Sequence, residues 1–478
     1  MARNPFTPVA RATGVPCLDF PFPLEWQRNT LDAARAMDAP GLEAPAPADP
    51  LFARFQTGFG HIGLLRLAGI ATLFALTILV SRVLGPPGQG VYAAILVVTG
   101  LAVQLGNCGL HAANTYLVAA NPNRASTLAR HSMLWSLVVG TALAGILVAL
   151  SQFLPDLRGE VNPRNFLIFT LAIPFLLATL LLQGLLLGLH RTRAYLSIEV
   201  IGRLALLVAT AVALLYFNAG LTTFVLLWTL AQIATGIGYA LYSRQILGRP
   251  TPLAEKSLLE SSLRYGIRAY LTSLFGFLVL RSDILLVNYL VGTSAGGIYS
   301  VAGLLSEQML LLPALLGTAL FPLVSADPAG SQQLTAKVMR HVTPLLLVAC
   351  GLAAALAQPL VVFFYGRDFA QAGTVFLILL PGIFLLSLQV VLAHHLAGTG
   401  YPWEMVHVWA GGFLLNVLAN LFAIPRWGMV GAAVVSTLTY SLVFVLILRI
   451  YHRQSRTPLR EVFYPHWDEL RLLVTRIR

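Results

Sequence analysis

Twelve apolar runs of about twenty residues each dominate the sequence, at 64–84, 91–118, 132–154, 165–187, 197–217, 221–243, 267–290, 297–323, 342–364, 374–397, 405–424 and 429–450. A run of that length crosses a hydrocarbon core of roughly 30 Å as a helix. Backbone polar groups in lipid must be satisfied within the segment, which excludes isolated strands. A membrane β-barrel needs alternating segments of about ten residues, and the runs do not alternate. The expected fold is therefore all-α and polytopic, with about twelve transmembrane helices. Composition agrees. Hydrophobic residues make up 57% and charged residues 10%, whereas a soluble domain carries roughly 25% charged residues.

The net charge of +12 comes almost wholly from arginine, since Lys256 and Lys337 are the only lysines. With the amino terminus inside, the even loops carry Arg124, Arg130, Arg191, Arg193, Arg244, Arg249, Lys256, Arg264, Lys337 and Arg340. The odd loops carry only Arg158, Arg164, Arg367 and Arg426. Cytoplasmic loops hold the excess of basic residues, so both termini are expected in the cytoplasm. No basic patch interleaved with aromatics sits on a soluble module, so no nucleic-acid partner is expected. Cys17, Cys108 and Cys350 show no metal or pairing spacing, and no metal or cofactor is expected.

The sequence repeats. Gly85-Pro-Pro-Gly-Gln-Gly-Val-Tyr92 aligns with Gly292-Thr-Ser-Ala-Gly-Gly-Ile-Tyr299 at an offset of about 207 residues, and Gly220 aligns with Gly428 at nearly the same offset. Six spans per repeat preserve orientation, so the expected architecture is two six-helix bundles related by a pseudo-two-fold axis along the membrane normal. The bundles are expected at 61–243 and 264–451, joined by a cytoplasmic linker at 244–263. A Pro- and Ala-rich stretch within 1–60 cannot build a core and lacks the apolar core of a signal peptide; it reads as a disordered cytoplasmic tail, with a second tail at 452–478.

Polar residues within spans are the candidates for function. Gln104, Asn107, His111 and Asn114 fall at i, i+3, i+7 and i+10, one face of a continuous helix. Such a face is either the wall of a wet cavity able to hydrogen-bond sugar hydroxyls or an interhelical polar seam. Arg281 and Asp283 lie well inside span seven and point to opposite sides of the helix, so each needs a partner elsewhere. Arg281 suits either a phosphate, which a guanidinium meets in a bidentate fork, or an ion pair with Asp283 or Glu307. Asp283 and Glu307 are also candidates for proton or sodium coupling. Glu199 and Arg203 have the i, i+4 order of a local pair. Arg66 and Arg268 occupy matching cytoplasmic ends of spans one and seven, where they snorkel or rim an entrance. His394, His395 and His407 lack a further ligand at metal spacing. Pro174, Pro313 and Pro381 are expected to kink their spans.

Four segments carry a family resemblance: Val80-Ser-Arg-Val-Leu-Gly-Pro-Pro-Gly-Gln-Gly-Val-Tyr92, Leu278-Val-Leu-Arg-Ser-Asp-Ile-Leu-Leu-Val287, Gly296-Gly-Ile-Tyr-Ser-Val-Ala302 and Pro425-Arg-Trp-Gly-Met-Val-Gly-Ala432. In order and spacing they resemble the polysaccharide-transporter, O-antigen flippase-like branch of the multidrug, oligosaccharidyl-lipid and polysaccharide flippase superfamily, over about residues 60–450. The resemblance implies a non-enzymatic flippase in the cell inner membrane. Its implied substrate is a polyprenyl-pyrophosphate-linked oligosaccharide moved to the outer leaflet, with membrane lipids and polysaccharide-assembly machinery as partners. It also implies a central cavity where Arg281, then Arg66 and Arg268, meet the pyrophosphate. A multidrug cation antiporter of the same superfamily is the nearest alternative, and a membrane-embedded envelope-polymer enzyme the more distant one.

Overall fold

The computed structural model describes residues 50–153, 161–247, 256–327 and 330–463. The expected amino-terminal tail to residue 49, the middle of the linker and the last fifteen residues fall outside them. The described residues from Arg54 onward belong to one compact unit.

Among the described residues every regular element is helical. The first half contains α1 (Pro50–Asn107), α2 (Leu110–Ala120), α3 (Ala125–Phe153), α4 (Pro163–Thr170), α5 (Ile173–Gly188), α6 (Thr192–Ala211) and α7 (Leu221–Leu247). The second contains α8 (Lys256–Leu290), α9 (Thr293–Gln308), α10 (Leu311–Ala326), α11 (Ser331–Tyr365), α12 (Ala370–Gly398), α13 (Trp403–Ser455) and the short α14 (Leu459–Phe463).

Among the described residues, nine stretches are long and apolar enough to span a membrane, and the bent pair α9–α10 makes a tenth. Two of the nine are too long to be single spans. The 46 residues of Ile62–Asn107 and the 53 of Trp403–Ser455 would measure about 70 and 80 Å at 1.5 Å per residue. Each is interrupted by a glycine with positive φ, Gly85 (66°) and Gly428 (55°). Counting each as two spans gives the twelve expected from the sequence.

Gly85 (φ 66°, ψ −172°) and its repeat partner Gly292 (φ 117°, ψ 165°) share a conformation essentially confined to glycine. After Gly85, Pro86 and Pro87 occupy the first turn of the next helix, where missing N–H groups cost nothing. At this pair the sequence repeat is also a repeat of backbone geometry, whereas of the aligned pair Gly220 and Gly428 only Gly428 has positive φ.

Three spans are broken rather than continuous. The run 165–187 parts at Leu171–Ala172 and the run 297–323 at Met309–Leu310. Each break lies just ahead of a proline, Pro174 or Pro313, whose ring collides with the carbonyl four residues earlier. Pro381, by contrast, lies inside an unbroken α12. The third break, at Cys108–Gly109, divides the run 91–118.

Within the first half, α5 packs against α2, α3 and α7; within the second, α12 packs against α9, α10, α11 and α13. These are the central helices. In Pro163–Gly188 and Arg367–Gly398, 56% and 67% of the most apolar window is buried, against 11% in the peripheral Pro122–Phe153. Helix α2 of the first half runs along α8 of the second. Helix α7 reaches Leu247 and α8 starts at Lys256, so both ends of the expected linker are helical. The start of the expected carboxy-terminal tail is docked: Val462 is buried, and the Arg340 Nε–H donates to the Glu461 carbonyl at 2.9 Å.

Candidate functional site

The ionisable residues of span seven find separate partners in the second half. The Arg281 guanidinium lies 2.7 Å from the Glu307 carboxylate, with both side chains partly exposed. Asp283 is buried. Its carboxylate accepts from the Tyr299 hydroxyl at 2.6 Å, the Ser436 hydroxyl at 2.9 Å and the backbone N–H of Ile284 at 2.8 Å. Asp283, Glu307, Tyr299, Ser306 and Tyr440 line one small cavity. This cavity is contained within the second half, among α8, α9, α12 and α13.

A second polar chain adjoins it. Ser282 and the Asn420 amide both donate to the Asn416 side-chain oxygen, at 3.3 and 3.0 Å, and the Asn416 amide donates to Thr439 at 3.4 Å. The Asn420 side-chain oxygen is buried without a hydrogen-bond partner. Such an atom costs about 1–3 kcal/mol unless an ion, a water or a proton donor satisfies it. Tyr299 stood out only as the end of the repeat motif, and Ser436, Asn416, Asn420 and Thr439 were not singled out in the sequence. The Asn416/Asn420 pair at i, i+4 within an apolar run was the available signal.

The four polar residues of span two do not share one helical face. Helix α1 ends at Asn107 and α2 restarts at Leu110, with Cys108 (φ 46°) and Gly109 (φ 83°) in the left-handed region. The Asn107 side-chain oxygen accepts the N–H of His111 at 2.9 Å and so caps the restarted helix. Trp135 donates its indole N–H to the Gly106 carbonyl at 2.8 Å, satisfying a group at the break. The expectation of a single continuous face therefore fails for a local reason: a side-chain cap and a glycine replace one turn of helix.

Beyond the break the polar groups face neighbouring helices. His111 Nδ1 lies 2.8 Å from the Leu180 carbonyl, and the Asn114 amide donates to Ser132 at 2.8 Å and to the Leu181 carbonyl at 3.2 Å. Helix α5 can come this close because it presents Gly184 and Gly188. A Cβ on either would stand 2.5 and 2.6 Å from the carbonyls of His111 and Thr115. Close backbone approach through small residues four apart is a common membrane packing mode. Gln104, before the break, stays partly exposed.

At the end of the bundle remote from Gly85, Arg66 and Arg268 are exposed. The Arg268 guanidinium lies over the Trp403 ring, 5.3 Å from its centroid, and that ring stacks loosely on His407 at 6.5 Å. Arg203 pairs with Glu199, as the i, i+4 spacing anticipates, and also donates to the Gly69 carbonyl at 3.2 Å, tying α6 to α1. At the opposite end Arg82 donates to the carbonyls of Phe363 and Phe364, in the last turn of α11. A cation is favourable there because the helix dipole leaves that terminus negative.

Comparison with known proteins places this arrangement. A probable low-salt glycan biosynthesis flippase, Agl15, of Haloferax volcanii is 24% identical over 241 residues, covering 49% of this chain and 48% of the relative. A probable flippase, AglR, of the same organism is 27% identical over 261 residues, covering 51% and 52%. The chain thus spans about half the length of the curated relatives it matches. Among solved structures, the lipid II flippase MurJ in an inward closed conformation superposes with a TM-score of 0.67, over 84% of this chain and 88% of that one, at 12% identity. That likeness establishes the two-lobed, twelve-helix fold. The model of one family, described as polysaccharide biosynthesis protein, matches residues 61–326, more than half of the sequence, and the chain belongs to that family.

Proposed function

We propose that this protein is a flippase that moves a polyprenyl-pyrophosphate-linked oligosaccharide from the cytoplasmic to the outer leaflet of the cell inner membrane by alternating access. The observation that carries the proposal is the similarity to a probable glycan biosynthesis flippase and to a second probable flippase, together with membership of a polysaccharide biosynthesis family. In this reading both termini are cytoplasmic, in keeping with the arginine bias. The halves 61–243 and 264–451 rock as bodies, and polysaccharide-assembly enzymes are the partners that supply and use the glycan.

Physical chemistry sets the task. A pyrophosphate and its sugars cannot cross hydrocarbon unaided, because an unpaired charge in an apolar medium costs many kcal/mol. Arg66 and Arg268, exposed at the cytoplasmic end, receive the anionic headgroup. Trp403 beside Arg268 offers an aromatic face to a sugar. Arg281 meets the pyrophosphate only after its pairing with Glu307 is exchanged. Gln104 lines the path of the sugars, with Asn107, His111 and Asn114 as its supporting wall.

Asp283 and Glu307, lining one small cavity, are the groups through which a proton or sodium ion drives the cycle. One charge moved across 100 mV is worth about 2.3 kcal/mol, enough to bias direction.

The test is chromosomal deletion followed by analysis of lipid-linked intermediates. An unflipped intermediate is expected to accumulate, and to be cleared by the wild-type gene but not by Arg281→Ala. Normal polymer export in the deletion strain overturns the proposal. A cation antiporter would use the same two carboxylates, but expression would then raise drug resistance and leave the intermediates unchanged.

A further inference from the structure

The two repeat motifs recognised in the sequence are clasped to one another. Gly90 and Gly297 occupy equivalent positions in Gly85–Tyr92 and Gly292–Tyr299. A Cβ on Gly90 would lie 1.9 Å from the Thr293 carbonyl oxygen and 3.1 Å from the Gly297 nitrogen. A Cβ on Gly297 would lie 2.1 Å from the Pro86 carbonyl oxygen and 2.8 Å from the Gly90 nitrogen. Each glycine thus meets the other's backbone reciprocally, as two-fold-related positions do where they meet on their axis.

Polar side chains lock the same contact. The Gln89 amide donates to the Ser300 hydroxyl at 3.2 Å, Ser81 donates to the Gln89 side-chain oxygen at 3.3 Å, and the Asn288 amide donates to the Gly90 carbonyl at 2.9 Å. All four of these side chains are buried. Arg82, nearby on the same turn of the chain, reaches across to the end of α11. Every one of these bonds except Ser81–Gln89 joins the first half to the second.

This clasp sits at the end of the bundle that the arginine distribution assigns to the outer face. Two halves that rock about an axis in the membrane plane cannot admit a bulky glycan to that face while backbone touches backbone there. We infer that the Gly90–Gly297 crossing, with Gln89, Ser300 and Asn288 as its polar locks, is the outer gate of the transport cycle, held shut in this structure. Glycine is required because any side chain would hold the two backbones apart. The locks are neutral side-chain bonds, which can be broken and remade in each cycle without stranding a charge in lipid. The inference rests on the alternating-access reading above.

The test uses the full chain with Cys17, Cys108 and Cys350 replaced and a protease site placed in the linker. Gln89→Cys with Ser300→Cys, joined by a short bifunctional thiosulfonate, is expected to keep the halves together after cleavage. It should abolish flipping of the lipid-linked glycan until a reductant restores it. Flipping at the uncrosslinked rate would make the clasp a static seam and overturn the inference. A second arm needs no substrate. In right-side-out vesicles, Gly297→Leu is expected to raise labelling of Gln89→Cys by a membrane-impermeant maleimide at least tenfold, with Gly297→Ala intermediate. Unchanged labelling in variants that keep the parent's gel-filtration profile also overturns it. If the uncrosslinked parent flips nothing, the flippase reading fails while the labelling arm still reads the gate.

Discussion

Arg281 and Glu307 face each other at 2.7 Å across α8 and α9, while Asp283, two residues along, is turned away into a separate set of hydroxyl donors. Removing one member of a buried pair strands the other's charge, at a cost of about 3–5 kcal/mol. Here both side chains are partly exposed, which places the cost near the lower end. Arg281→Met is expected to lower the thermal midpoint in detergent markedly. The double variant Arg281→Met with Glu307→Leu should recover most of that loss yet remain unable to flip substrate. Equal destabilisation by the single and double variants would show that the pair is not coupled.

The break in span two separates two environments that a continuous helix would have merged. Gln104→Cys is expected to react with a membrane-impermeant thiol reagent, because Gln104 stays partly exposed. Asn114→Cys should resist, since Asn114 is buried against Ser132 and the Leu181 carbonyl. Comparable labelling of the two would place both on one wet wall.

Helix spacing in the first half depends on glycine at particular points. Gly184→Val would press a side chain against the His111 carbonyl, 2.5 Å from the Cβ position. Overpacking against backbone typically costs about 1–3 kcal/mol. Gly145 has no atom within 4 Å of its Cβ position, so Gly145→Ala is expected to be neutral or to stabilise α3 by up to about 1 kcal/mol. Thermal denaturation followed by tryptophan fluorescence checks both, and a larger loss for Gly145→Ala would contradict the packing described.

The segment after the last span is docked through a buried apolar side chain as well as through the Arg340–Glu461 bond. Val462 is fully buried, while Arg460 beside it is exposed. Val462→Asp is expected to release α14 and make the bond after Arg460 cleavable by trypsin at least tenfold faster, with the spans still protected. Identical digestion of variant and parent would mean that the segment is not held by that contact.

Much of this was legible in the sequence. Lipid allows few solutions to backbone hydrogen bonding, so apolar run length set the number of spans, and the offset between Gly85–Tyr92 and Gly292–Tyr299 disclosed two halves. The Glu199–Arg203 pair followed from helical spacing alone, because its partners are one turn apart. What pattern could not supply was any contact between residues distant in the chain. Helical spacing turned Asp283 away from Arg281, and only the packing of α8 on α9 brought Glu307 to it. Asn107, His111 and Asn114 were spaced for one face of an ideal helix, but the Asn107 cap and the Gly109 turn ended that helix within the span. Repetition announced Gly90 and Gly297 as equivalent; that they touch was decided by the tertiary structure, because a symmetry axis exists only once both halves are folded.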